Sequence, residues 1–353
     1  MFEVVSHFPT VITASASRVS FCASVVWRAV VTAGWAWVVV LVALAMASAA
    51  HAQEIYIFAG AQRTVHQGEG SYAYGFEYAH NLSEHFVLSY DYLNEGHVTD
   101  NHRDGVSGQL WFRMLSPSRK LDFALGAGPY RYYDTTTAQS SGQTIDAHGW
   151  GGLFSAAVHW YPKSPWIVQL RYNRAQVGSS FSTDSVLLGI GWQLDAASRP
   201  GPVVPPASYG FASPDRNEID GFIGKTIVNN FQSPEGAAWM VEYRRNLSPY
   251  VDITGSILDE GDAKAIKRQG VAGQLWLTRT FFDQRASVGI GAGPYFARDQ
   301  DQTDHRTHVL GLGTTTLSYQ FAAQWVLRVS WHRTLTSYSR DTDVLLVGLG
   351  MRF

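Results

Sequence analysis

The sequence predicts an all-β protein: a transmembrane, antiparallel, up-and-down β-barrel built as two tandem eight-stranded barrels. Three observations lead there. The closing stretch, Asp341 to Phe353, alternates: Leu345, Val347, Leu349, Met351 and Phe353 fall on one face of a strand, and Val344, Leu346, Gly348, Gly350 and Arg352 on the other. Thr183 to Leu194 matches that stretch position for position, Thr183-Asp184 answering Thr342-Asp343 and Leu194 answering Phe353. Glu77-Tyr78, Asn81-Leu82-Ser83, Glu95-Gly96, Gly105-Val106, Gly108-Gln109-Leu110-Trp111, Gly126-Ala127-Gly128-Pro129-Tyr130 and Asp134 all recur 165 positions later, from Glu242-Tyr243 to Asp299. Seven motifs at one spacing mark an internal duplication.

Composition agrees with strands that hide half their apolar character by alternation. Hydrophobic residues make up 46% and charged residues 16%, with 33 glycines, and mean hydropathy is −0.09. A helical transporter would show many long apolar runs instead. The formal net charge of −2 supplies no basic field for nucleic acid.

Taken in order, residues 1–52 read as a signal peptide. Arg18 and Arg28 precede an apolar run from Val30 to Met46, and Ala50 and Ala52 satisfy the small-x-small cleavage pattern, so the mature chain is expected to start at Gln53. An uncleaved inner-membrane helix is the alternative, and the length before Arg18 is also compatible with a misassigned start codon. The single cysteine, Cys22, lies in this segment, so the mature chain has no thiol for a disulfide or a metal.

The first barrel repeat, 53–194, is expected to form strands near 54–63, 71–80, 84–93, 105–115, 119–134, 147–160, 166–176 and 184–194. The second, 218–353, is expected to form them near 218–227, 236–245, 249–258, 270–280, 284–298, 307–320, 324–335 and 342–353. With the first strand starting in the periplasm, the inner turns are Asn81-Leu82-Ser83, Ser116-Pro117-Ser118 and Pro162-Lys163-Ser164-Pro165. Long outer loops are expected at Asn94 to Asp104 and Thr135 to Asp146. Residues 195–217, with Pro200, Pro202, Pro205, Pro206 and Pro214, read as a periplasmic linker. If that stretch were only a long inner turn, one sixteen-stranded barrel would result, and with it a porin-like channel.

A chain ending in an aromatic residue on such a strand resembles bacterial outer-membrane β-barrel proteins. The resemblance implies export to the outer membrane, recognition of the last strand by the barrel-assembly machinery, and outer-membrane lipid and lipopolysaccharide as surroundings.

Alternation also sorts the polar residues. On strand two, Tyr72, Tyr74, Phe76 and Tyr78 are expected to meet lipid, which sends Glu77 inward. The same phase turns Asp91, Gln109, Arg113, Asp122, Gln169, Arg171 and Asn173 inward, and in the second copy Glu242, Arg244, Asp252, Gln274, Arg328, Ser330, His332 and Arg352. Buried charges need partners. Glu77 with Arg171, and Glu242 with Arg328 or Arg352, are read as polar packing of a small lumen, with a gating or catalytic pair as the alternative. Inward Gly126, Gly128, Gly291 and Gly293 make room beside Trp111, Tyr130, Trp276 and Tyr295, which favours two filled barrels over one wide pore.

Outside the lumen, Arg174 opposite Asp184 and Arg333 opposite Asp343 are expected as cross-strand pairs at the outer rim, where their guanidinium forks also suit lipopolysaccharide phosphates. The general layout of the last hairpin is similar to that of lipid A deacylases, with a His on a late strand and a carboxylate after the next loop. That resemblance implies His332 as the catalytic His, with Asp341 or Asp343 as the acid, but Thr334 stands where the family's Ser should follow the His, and the nearest serines are Ser337 and Ser339, so the catalytic set on this reading is His332, Ser337 and Asp343. His148 and His308 read as rim residues. His97 and His102 with Asp100 and Asp104 lack tight metal-ligand spacing. No cofactor or metal is expected, and the reading is a structural or surface-binding barrel without enzymatic activity.

Overall fold

In the computed structural model the described residues are 53–137, 143–163, 165–195, 197, 199–203, 216–264, 266–282, 284–300 and 305–353. The expected signal peptide, residues 1–52, and most of the expected proline-rich linker lie outside them. The first copy forms β1 (Gln53–Thr64), β2 (Gly70–Asn81), β3 (Phe86–Val98), β4 (Asn101–Leu115), β5 (Leu121–Thr137), β6 (Thr144–Trp160), β7 (Trp166–Val177) and β8 (Thr183–Gln193). The second forms β9 (Asn217–Val228), β10 (Glu235–Ser248), β11 (Val251–Asp262), β12 (Lys267–Phe281), β13 (Ala286–Gln300), β14 (His305–Gln320), β15 (Trp325–Leu335) and β16 (Thr342–Arg352).

Each set of eight closes on itself. Strand β8 pairs antiparallel with β1 from Glu54↔Gln193 to Thr64↔Thr183, and β16 pairs with β9 from Arg352↔Glu218 to Thr342↔Val228. Both ladders are saturated, so β8 offers no free edge to β9, and the sixteen-stranded alternative is not what forms. The end holding Gln53 and Asn217 is called proximal below, and the opposite end distal.

The expected long distal loop Asn94 to Asp104 is largely strand, and of Thr135 to Asp146 the residues 138–142 lie outside the described ones. β3 continues to Val98 and β4 begins at Asn101, past a register shift between Asn94 and His97 where Gly96 has φ 66°. The second copy repeats the shift between Asp259 and Gly261, with Gly261 at φ 67°. A Cβ on Gly261 would lie 1.8 Å from the Ala237 carbonyl oxygen, so glycine is required by both torsion and space.

The repeated Gly-Ala-Gly-Pro-Tyr motif has a physical cause. The β4–β5 ladder skips from Ser107↔Tyr130 to Leu110↔Ala127, and β12–β13 skips from Ala272↔Tyr295 to Leu275↔Ala292, because Pro129 and Pro294 have no N–H to donate. Gly126 lies beneath the Trp111 ring and Gly291 beneath Trp276. Those indoles, with Tyr130 and Tyr295, fill the two interiors.

Outward residues such as Leu188, Ile190, Leu327 and Val347 are exposed, while Leu187 and Leu346 between them are buried. One part of the aromatic face departs from the expectation. Tyr72 and Tyr74 are exposed, but Tyr78 is 7% and Tyr92 8% accessible although both point outward, because the second barrel covers them. Tyr92 meets Trp331 edge-on at 4.8 Å, and towards the proximal end Asp195 accepts from Arg279 at 3.0 Å.

Candidate functional site: two charged lumens

The centre of the first barrel is organised by Arg171 on β7. Its Nη1 donates to Glu77 Oε2 at 2.5 Å and Asp91 Oδ1 at 2.7 Å, its Nη2 to Gln109 Oε1 at 2.6 Å, and its Nε to Asn173 Oδ1 at 2.6 Å. The guanidinium also lies over the Trp111 and Phe58 rings at 4.9 and 5.2 Å. These partners come from five strands because a narrow closed barrel turns every inward side chain towards one axis.

Below this, Arg113 approaches Glu54 and Asp122, both at 3.2 Å, and Asp122 also contacts His159 Nδ1 at 2.6 Å and accepts from the Tyr161 hydroxyl at 3.1 Å. Tyr161, just beyond β6, has its phenol pushed well above the ordinary range by burial. In the turn between β2 and β3, the exposed Glu84 carboxyl is held below its usual value by its hydrogen bond and charge contact with Arg119.

At the distal end, Arg103 is held by Glu95, which also accepts from Tyr130 at 2.9 Å and from Thr183. The second barrel repeats this plug: Arg268 donates to Glu260 at 3.3 Å and Asp299 at 2.7 Å, and Thr342 donates to Glu260 at 2.6 Å. Sequence reasoning picked out Glu95 and Glu260 only as repeat markers and missed Arg103 and Arg268, which keep the same 165-residue spacing.

The second lumen is wired differently. Arg244 donates to Glu242 at 2.7 Å and Asp252 at 3.1 Å and lies 4.1 Å over Trp276. Gln274 donates to Thr314 at 2.9 Å. Glu242 therefore does not pair with Arg328 or Arg352. Arg328 contacts Glu218 and, at 3.2 Å, Asp220, while Arg352 donates to Glu218 Oε2 at 2.7 Å. The register explains the exchange: β9–β16 closure sets Glu218 directly across from Arg352.

Copy two is also hollower at its proximal end. Where copy one has Arg113, Asp122, His159 and Tyr161, the corresponding positions are Thr278, Ser287, Ser318 and Gln320. The resulting cavity, about 130 Å³, is lined by Arg216, Glu218, Arg244, Asp252, Arg328 and Arg352 among others.

On the outer surface Arg174 Nη1 donates to both Asp184 oxygens at 3.1 and 3.0 Å. Arg333 chelates Asp343 at 2.9 and 2.8 Å, and its Nη1 donates to both oxygens of Asp104 in the first barrel at 2.6 and 2.5 Å. With carboxylates on both sides, Arg333 has no fork left for a lipopolysaccharide phosphate. His148 and His308 share no role: His148 Nε2 contacts Asp341 of the second barrel at 2.6 Å, whereas the His308 ring lies 4.6 Å from that of Tyr338. The His97 and His102 rings are stacked at 4.4 Å, and among the described residues no three such groups are placed to hold a metal.

The structure does not bring His332, Ser337 and Asp343 together. His332 is fully buried in the lumen, with Nδ1 2.9 Å from the Thr314 hydroxyl, while Asp343 points outward to Arg333 and Trp331, and Ser337 is exposed beyond β15. Adjacent β15–β16 pairs, His332↔Val344 and Arg333↔Asp343, put the two on opposite faces. His332→Ala is accordingly expected to leave lipid A unchanged when the protein is overproduced, checked by mass spectrometry of its acyl chains; a difference from wild type would revive the hydrolase reading.

No family model and no curated protein matches the chain. Among solved structures it is similar to the N-terminal β-barrel domain of Pseudomonas aeruginosa OprF (16% identity, 39% of this chain and 96% of that one, TM-score 0.32). It is also similar to Neisserial surface protein A (11%, 40% and 96%, 0.33) and to Yersinia pestis Ail, the attachment invasion locus protein (11%, 40% and 98%, 0.31).

Proposed function

We propose that this chain is an exported protein of the bacterial outer membrane, and that its two barrels are sealed anchors presenting distal strands and turns to the envelope surface, without turnover and without a standing pore. The observation that carries the reading is the combination of an apolar exposed exterior with lumens crossed by interlinked charges, Arg171 with Glu77 and Asp91 in one and Arg244 with Glu242 and Asp252 in the other. Exposed Leu, Ile and Val in register around a closed sheet suit hydrocarbon, and no open backbone edge meets it. Outer-membrane lipid is then the partner of the exterior, and lipopolysaccharide that of the distal rim. The proximal end faces the periplasm.

Planar-bilayer recording tests the sealed state. The wild-type protein is expected to show no steady single-channel current; a stable open level would favour the channel reading. Because the second barrel is already hollow proximally, Arg268→Ala is expected to produce current while Arg103→Ala does not. Equal behaviour of the two variants would contradict the asymmetry.

A further inference from the structure

The contact between the two barrels joins unlike faces. Towards the distal end the first barrel contributes the outer face of β3 to β6, with Tyr92, Asp104, Tyr133 and His148, and the second that of β15 and β16, with Trp331, Arg333 and Asp343; at the proximal end the contact passes to Asp195 and Arg279. A head-to-tail contact between duplicated units leaves one copy of each face unused, one at either end of the pair.

Both unused faces keep the chemistry of the used ones. On the first barrel, Tyr172 donates to Asp184 at 2.6 Å and Arg174 chelates Asp184, matching Trp331 donating to Asp343 at 2.8 Å and Arg333 chelating Asp343. Arg333 has a second carboxylate, Asp104, across the contact, while Arg174 remains 30% exposed with Asp184 alone as its ion-pair partner among the described residues.

On the second barrel the inventory is retained with its members exchanged. The cross-strand pair Asn94↔Asp104 becomes Asp259↔Gln269, so one carboxylate and one carboxamide remain but on swapped strands. Along the next strand Arg131 and Tyr133 become Phe296 and Arg298, again one cation and one aromatic. Ile257 replaces Tyr92. Together with Trp239 and Val271 these residues line an outward groove of about 400 Å³.

We infer that a second copy of this chain docks its Arg174–Asp184 face onto the Asp259–Arg298 face, repeating between chains the contact that joins the barrels within one. Arg174 then gains Asp259, cross-strand from the position that Asp104 holds against Arg333, while Arg298, at the position where Tyr133 meets Arg333, comes beside the Arg174–Asp184 pair, so two cations and two anions balance at a surface otherwise bordered by lipid. The contact is heterologous, so it propagates into rows or rings.

The inference rests on the membrane reading, and the test separates the two. The full mature chain is reconstituted in phospholipid vesicles free of lipopolysaccharide, its folding checked by heat-dependent gel mobility, and its oligomers counted by single-molecule photobleaching over a range of protein-to-lipid ratios. Failure to insert defeats the membrane reading itself. With folded protein, the wild type is expected to form species that lengthen as the ratio rises, and Arg174→Gln or Asp259→Asn alone to need about tenfold more protein for the same association. Mixing the two variants supplies one intact contact, so at ratios where neither variant associates alone, mixtures are expected to form dimers that stop at two. Wild-type chains that stay single at every ratio, single variants that associate like wild type, or mixtures that grow past two would each overturn it, as would Arg174 retaining added lipopolysaccharide in place of a second chain.

Discussion

Arg171→Met is expected to lower the unfolding free energy of the first barrel by about 3–5 kcal/mol, the range for breaking a buried ion pair from one side. Glu77 and Asp91 would stay in the lumen with no cation between them, 4% and 1% accessible, and Gln109 and Asn173 would each lose a donor. Methionine retains most of the volume and the contact with Trp111, so the loss reports charge and not a cavity. Adding Glu77→Gln and Asp91→Asn to Arg171→Met removes the stranded charges and is expected to restore most of the stability. Urea titration in lipid vesicles, followed by tryptophan fluorescence, measures both. A single variant as stable as wild type, or a triple variant no better than the single, would show that the network is not what holds this lumen.

Gly128→Ala is expected to be as damaging by a different route. Its Cβ would sit 1.9 Å from the Gly108 carbonyl oxygen, and the corresponding Cβ at Gly293 would sit 1.9 Å from the Gly273 oxygen. The obstacle is backbone on a neighbouring strand and not a movable side chain, so the ladder itself must shift, at a cost of about 3 kcal/mol, the upper part of the range for overpacking. Gly221→Ala and Gly255→Ala meet nothing within 4 Å and are expected to stay within about 0.5 kcal/mol of wild type. The same urea titration separates the two classes; equal effects would mean that strand glycines matter here through flexibility and not through space.

The seam between the barrels changes how the outward charges are understood. Arg333 and Asp343 are a cross-strand pair by register, and Asp104 reaches them only because the first barrel lies alongside. His148 and Asp341, far apart in sequence, meet at the same seam at 2.6 Å, and the Asp341 amide donates to Asp146 at 3.1 Å. None of the contacts between the two barrels follows from periodicity, because alternation distinguishes inside from outside and says nothing about what stands outside.

Alternation and duplication by themselves determined the all-β class, the copying of one eight-stranded unit and the phase that turns Glu77, Arg171, Glu242 and Arg328 into the lumens; that each copy closes on itself was decided by the pairing of β8 with β1 and of β16 with β9. Alternation and duplication are local properties: each strand repeats every two residues, and a constant spacing survives only when the whole unit is copied. Tertiary structure decided which charges meet in the second lumen. Glu218 takes Arg328 and Arg352 because closure sets the register between the first and last strand of the second barrel, and Glu242 is left to Arg244, two residues along on the same face of β10. Tyr92 left the lipid for Trp331 because two cylinders lie side by side. Partners across a closed tube or between two tubes are fixed by tilt, register and packing distance, which are properties of the assembled sheet and not of any stretch of chain.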